Sequence, residues 1–184
     1  MPQLASVRVI AGEYRGRKLF GPKTNAVRPT PDRVREALFN ILGELEDTKV
    51  LDLFCGTGAV AIEALSRGAT KVTLVDRNIS VARKNLTSIG LLKKATLHKT
   101  DFRQALLRLE DKYDFIFVDP PYDMVLDAVS DILKFASTHL KPEGTLIFEH
   151  PKRTELSEEA HAMQCTQTRL YGDTALSFYV HKER

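Results

Sequence analysis

The chain has 184 residues, 43% hydrophobic and 28% charged, with a formal net charge of +3. That length suits one domain with a substantial core, and no apolar run approaches the ~20 residues that span a membrane. The start, Met1-Pro2-Gln3-Leu4-Ala5-Ser6, does not read as a signal peptide, and Cys55 and Cys165 stand far apart, which predicts no disulfide framework, no metal site and a reducing cytoplasm.

In chain order, residues 7–20 read as a hairpin, Val7-Arg8-Val9-Ile10 and Arg17-Lys18-Leu19-Phe20 about Gly12 and Gly16. Residues 21–29, with Gly21, Pro22 and Pro29, read as loop. Thr30 is a good N-cap with Pro31 at the first helical position, and Val34, Leu38, Ile41 and Leu42 then recur on one face until Gly43. Residues 1–43 hold eight basic and three acidic side chains, against 19 and 21 in the remainder. A basic arm on a slightly acidic body is a footprint of nucleic-acid binding, and also of a plain solvated surface.

From residue 49 strands and helices alternate. Val50–Phe54, Val72–Asp76, Thr96–Lys99, Phe115–Val118 and Gly144–Glu149 read as strands. Helices fall over about 59–67, 79–89, 103–109 and 124–138. Gln164–Tyr171 and Ala175–His181, joined at Gly172-Asp173, read as a closing hairpin. Crossovers of this kind demand a parallel sheet covered on both faces. The expectation is one α/β domain: an extension over 1–43 packed on a main body over 44–184, its mostly parallel sheet ending in an antiparallel hairpin.

In such a sheet, ligands bind beyond the C-terminal strand ends where strand order reverses. Asp52-Leu53-Phe54-Cys55-Gly56-Thr57-Gly58 ends the first of these strands, and its glycines let backbone approach a ligand. Asp76, 18 residues beyond Gly58, is placed to accept from two ribose hydroxyls, with Arg77 beside it. Asp101-Phe102 could accept from an adenine amine and line its ring, or Asp101 could simply cap a helix. The loop alone is ambiguous, since Gly56-x-Gly58-x-x-Ala61 also satisfies the dinucleotide fingerprint and a structural turn would look the same.

Asp119-Pro120-Pro121-Tyr122 narrows the chemistry. Two prolines give an extended path without backbone donors, with carbonyls set towards the crevice. An exocyclic amine of a base is a poor nucleophile because its lone pair is delocalised into the ring. Hydrogen bonds to the Asp119 carboxylate and Pro120 carbonyl would hold it, and stacking on Tyr122 would fix the base. The nitrogen then needs only to lie about 3–3.5 Å from a sulfonium methyl, in line with the leaving sulfur. A dinucleotide oxidoreductase has no use for this tetrad, and no pocket histidine supplies a hydride-transfer acid.

Arg8-Val9-Ile10-Ala11-Gly12, Arg15-Gly16-Arg17-Lys18-Leu19, Arg28-Pro29-Thr30 and Asp32-Arg33-Val34-Arg35-Glu36 recur together with Glu63-Ala64-Leu65-Ser66-Arg67-Gly68-Ala69 and Phe117-Val118-Asp119-Pro120-Pro121-Tyr122. In these runs the chain resembles the RsmD family, bacterial enzymes that methylate the N2 amine of a guanine in small-subunit (16S) ribosomal RNA, over nearly its whole length. The resemblance implies a Rossmann-like methyltransferase sheet and S-adenosylmethionine as donor. It also implies an assembled or nearly assembled small ribosomal subunit as substrate. Asp52, Phe54, Gly56, Thr57, Gly58, Asp76, Arg77, Asp101 and Phe102 are then the expected cofactor residues. Ala61 stands where relatives usually carry glycine, and tighter helix–strand packing is expected there.

Arg15, Arg17, Lys18, Arg28, Arg33 and Arg35 are expected to grip RNA phosphates, which orient a substrate without reading its sequence. Arg33 in a first helical turn opposes the helix dipole, a locally unfavourable choice that marks functional positions. The expected protein is a cytoplasmic monomer without a metal. Two alternatives stay open at this stage: an adenine-N6 RNA methyltransferase, and a non-catalytic RNA-binding or assembly factor keeping the cofactor fold.

Overall fold

A computed structural model describes residues 7–21 and 32–182. Val7–Arg8 (β1) and Lys18–Leu19 (β2) form a two-stranded antiparallel ribbon, and Asp32–Leu42 is the first helix (α1). The loop and cap expected over residues 22–31 lie outside the described residues. The main body then runs Lys49–Leu53 (β3), Ala59–Ser66 (α2), Lys71–Asp76 (β4), Ser80–Ile89 (α3), Ala95–Lys99 (β5), Phe102–Leu106 (α4), Tyr113–Val118 (β6) and Val125–His139 (α5). Leu140–Pro151 (β7), Glu159–Ala160 (β8), Met163–Tyr171 (β9) and Thr174–His181 (β10) complete it.

The sheet has eight strands in the order β5-β4-β3-β6-β7-β10-β9-β8. β3 to β7 pair in parallel, while β10 runs antiparallel to both β7 and β9. The central strands are apolar on both faces because helices cover both. Val50, Val72 and Leu74 pack with the ribbon and with α1, α2 and α3. Leu51, Leu53 and Val75 pack with α4 and α5 on the opposite face. This is the expected architecture, with β7 longer than read from sequence and β8 unanticipated.

The stripe of α1 differs from the periodicity reading. Val34, Arg35, Leu38 and Phe39 are buried, whereas Ile41 is 37% exposed. The apolar periodicity assigned the face without Arg35, whose guanidinium is buried in an ionic cluster.

That cluster docks the ribbon on α2. The Glu63 carboxylate, fully buried, accepts the Ile10 amide at 2.8 Å and the Ala11 amide at 3.0 Å. Ser66 Oγ donates to the Ala11 carbonyl at 2.6 Å and accepts from the Tyr14 amide at 3.0 Å. Gly12 sits at φ +82, and a Cβ there would lie 1.8 Å from the Ser66 carbonyl oxygen. Glycine is therefore required for this approach.

Candidate functional site

β3 has β4 on one side and β6 on the other, so strand order reverses between β3 and β6. The segments leaving their C-terminal ends, Phe54–Gly58 and Asp119–Tyr122, flank this switch point. The Asp119 amide donates to the Leu53 carbonyl at 3.4 Å, which ties the two strand ends together.

The glycine loop turns sharply, with Phe54 at φ 62, Gly56 at φ 51 and Gly58 at φ 75. The Cys55 amide donates to the Val75 carbonyl at 3.1 Å and the Gly58 amide to the Cys55 carbonyl at 2.7 Å. A Cβ on Gly58 would stand 3.1 Å from the Ala82 Cβ, whereas one on Gly56 would meet nothing within 4 Å. Gly58 thus serves the packing of α2 on α3, and Gly56 leaves open approach to the backbone.

Asp76, at the end of β4, latches the loop. One carboxylate oxygen accepts the Gly56 amide at 3.0 Å and the other the Asn78 amide at 2.9 Å. Each oxygen keeps acceptor capacity, since an ionised carboxylate offers about four lone-pair sites. At the end of β5, Asp101 caps α4 by accepting the Arg103 amide at 3.0 Å, and its second oxygen accepts Arg77 Nε at 3.1 Å. The hydrogen bond from Arg77 holds the Asp101 carboxyl below its ordinary range. Both the helix-cap role and a solvent-facing pair are therefore present at this corner.

Two of the residues expected at the cofactor turn their side chains inward. Asp52 is 2% exposed and accepts the Ala61 amide at 3.3 Å, so it supports the loop and the first turn of α2 from beneath. Phe102 is 3% exposed and belongs to the core. Its ring stands 5.1 Å from that of the partly buried Phe54. Both side chains are drawn inward, Asp52 by the α2 amide and Phe102 by apolar burial. Burial pushes the Asp52 carboxyl well up, and the nearby Asp119 and Asp76 carboxylates push it further. Burial also raises the Cys55 thiol well above its usual range, which makes it inert as a nucleophile.

Asp119 is half-buried, Pro120 buried, and Pro121 and Tyr122 exposed, the last at 59%. Pro121 is extended at φ −50, ψ 141 and precedes a 3₁₀ turn over Tyr122–Met124. Its carbonyl accepts the Met124 amide at 2.8 Å and so closes that turn.

On the basic arm, Arg15, Arg17, Lys18 and Arg33 are exposed. Arg17 donates to the Ser88 carbonyl at 3.2 Å, and Arg33 lies beside Gly172 of the β9–β10 turn. Arg35 is corrected: it is 1% exposed and donates to the Arg8 carbonyl and to Asp32, with Glu63 at 4.0 Å. A guanidinium committed to this cluster is not presented to phosphates. Arg28 lies outside the described residues.

Sequence reasoning missed Glu63 and Asn85. Each is a polar side chain on a buried helical face, Glu63 in the otherwise apolar run of α2 and Asn85 beside Ala82, Leu86 and Ile89. That misfit was the available signal. Among the described residues no helix is long and apolar enough to cross a membrane.

The family model described as conserved hypothetical protein 95 matches residues 7–180. The chain is 35% identical over 181 residues to YlbH of Bacillus subtilis, covering 94% of this chain and 98% of that one. It is 34% identical over 153 residues to the ribosomal RNA small subunit methyltransferase D of Haemophilus influenzae, covering 79% of each. Among solved structures, yhhF from Escherichia coli superposes with a TM-score of 0.82 at 28% identity, over 97% of this chain and 99% of that one. With the Rossmann-like methyltransferase sheet and the tetrad at its switch point, the match across nearly the whole length means that this chain belongs to the family of conserved hypothetical protein 95, the RsmD family its sequence resembles.

Proposed function

We propose that this protein transfers a methyl group from S-adenosylmethionine to the exocyclic N2 amine of a guanine in small-subunit ribosomal RNA. The observation that carries the reading is the placement of the glycine loop and of Asp119-Pro120-Pro121-Tyr122 on the two sides of one switch point. The family supports ribosomal RNA as substrate, since relatives in it carry that activity in their names.

The residues present fit the donor. The open face of Gly56 and the remaining acceptor capacity of Asp76 suit a nucleoside with two ribose hydroxyls. The Asp76 and Asp119 carboxylates both lie within electrostatic reach of Asp52 beneath the loop, and negative charge on this side of the crevice suits a cation. When bound, the donor supplies an electrophilic sulfonium methyl. The protein's part is then positioning. The Asp119 carboxylate and the Pro120 carbonyl accept from the amine, and the exposed Tyr122 ring stacks on a base drawn out of its helix. As the nitrogen gains its methyl it becomes acidic, and Asp119 or solvent takes the proton. Arg15, Arg17, Lys18 and Arg33 hold RNA phosphates, and Arg28, outside the described residues, is assigned the same role. On this reading the protein works as a cytoplasmic monomer, without a metal, on the assembled or nearly assembled subunit.

Transfer of labelled methyl from S-adenosylmethionine to small subunits lacking native modification, followed by nucleoside analysis, tests the reading. N2-methylguanosine is the expected product. N6-methyladenosine would overturn the target, and donor binding without any product would favour an assembly role.

A further inference from the structure

Asn85 of α3 is fully buried, yet none of its polar atoms is idle. Its Oδ1 accepts the Phe20 amide at 2.7 Å, and its Nδ2 donates to the Phe20 carbonyl at 3.0 Å and to the Thr57 carbonyl at 2.9 Å. Phe20 directly follows β2, the second strand of the basic ribbon. Thr57 is the middle residue of Gly56-Thr57-Gly58. One side chain therefore holds the arm and the cofactor loop in a common frame.

The residue type follows from the geometry. The reciprocal pair with Phe20 needs one donor and one acceptor on the same planar group, and Thr57 needs a second donor. A carboxylamide carries all three, whereas aspartate carries no donor and leucine carries neither. Glutamine has the same atoms on a stem one methylene longer, which a site with no exposed surface cannot take without displacing the loop or the arm. Removing the amide leaves the Thr57 carbonyl without this partner in a buried setting, where unmade hydrogen bonds are most costly, and releases both polar groups of Phe20 from their part-buried bonds.

We propose that Asn85 is a positioning residue for methyl transfer, fixing the glycine loop for the donor and tying that loop to the RNA arm. The inference rests on the proposed function, in which the loop receives S-adenosylmethionine and the arm receives RNA. Donor affinity then depends on a backbone amide of the arm that does not itself face the crevice. RNA that steadies the arm steadies the loop as well.

The test is a calorimetric titration of the full chain, free of RNA, with S-adenosylhomocysteine, the demethylated donor. Phe20→Pro deletes the arm's amide donor, whereas Phe20→Leu removes the aromatic ring and keeps the amide. The expected result is a Kd about tenfold higher for Phe20→Pro and for Asn85→Ala, and within twofold of the parent for Phe20→Leu. Faster hydrogen exchange of the Thr57 and Gly58 amides should accompany the loss. If Asn85→Ala does not fold, the two Phe20 variants decide. Equal Kd values for Phe20→Pro and Phe20→Leu would overturn the inference and leave the donor reading standing. No measurable binding by the parent chain would overturn the donor reading itself, and this inference with it.

Discussion

The Glu63 carboxylate accepts the Ile10 amide at 2.8 Å from within a helix that is otherwise apolar up to Ser66. The same carboxylate accepts Arg67 Nε at 2.8 Å and faces buried Arg35 at 4.0 Å. Glu63 therefore anchors the docked ribbon and, with Asp32 at 3.0 Å from the Arg35 guanidinium, compensates the buried charge of Arg35. Replacing it with alanine leaves a buried guanidinium with weakened compensation and two orphaned amides. Glu63→Ala should lower stability by about 3–5 kcal/mol, read from urea unfolding. A loss below ~1 kcal/mol would mean that the cluster is not the anchor described.

Asp52 gives a pH signature. Its folded-state carboxyl titrates well above its ordinary value because it is buried and sits near Asp119 and Asp76. A raised carboxyl contributes stability that is fully present below the unfolded pKa of about 4 and is lost as pH rises through the folded value. Asp52→Asn keeps an oxygen for the Ala61 amide and removes this loss. Thermal unfolding midpoints of the variant should therefore exceed those of the parent by a margin that widens from pH 4 upward. Parallel curves across that range would show that Asp52 does not carry a raised pKa.

Tyr122 is the exposed aromatic on the tetrad. If it stacks on the target base, Tyr122→Ala should cut single-turnover methylation about 10- to 100-fold, in line with ~1–3 kcal/mol for base–aromatic stacking. Tyr122→Phe should keep most of the rate. Equal losses in both variants would assign the role to the hydroxyl instead.

Arg15 and Arg17 are exposed on the ribbon, whereas Arg35 is not. Reversing both charges with Arg15→Glu and Arg17→Glu should weaken subunit binding. It should also reduce the slope of log affinity against log salt by roughly one to two. An unchanged slope would remove the ribbon from the RNA interface.

The sheet was legible because its strands are short apolar runs separated by glycine-marked helix ends, and Val72–Asp76 and Phe115–Val118 leave little room for another reading. The tetrad was legible for a similar local reason, since proline, proline and tyrosine after an acid constrain backbone and chemistry within four positions. Asp52 and Phe102 were harder. Asp52 lies on a strand and Phe102 opens a helix, and in neither place does motif membership say which side chain meets the ligand and which meets the core. The burial of Arg35 was illegible for a different reason, because a charged residue beside an apolar stripe was assigned to RNA phosphates while its partner, Glu63, lay 28 positions away. Asn85 and its bonds to Phe20 and Thr57 join segments 65 and 28 positions distant, and no local pattern carries such a triple contact.

The most direct measurement is a methylation map of small-subunit ribosomal RNA from cells with and without the gene for this chain, read by mass spectrometry of nuclease fragments. The expected result is the loss of one methyl from the N2 position of a single guanine, restored by the parent gene and not by one carrying Tyr122→Ala. An unchanged map, or a methyl lost from an adenine N6 instead, would contradict the proposed reaction.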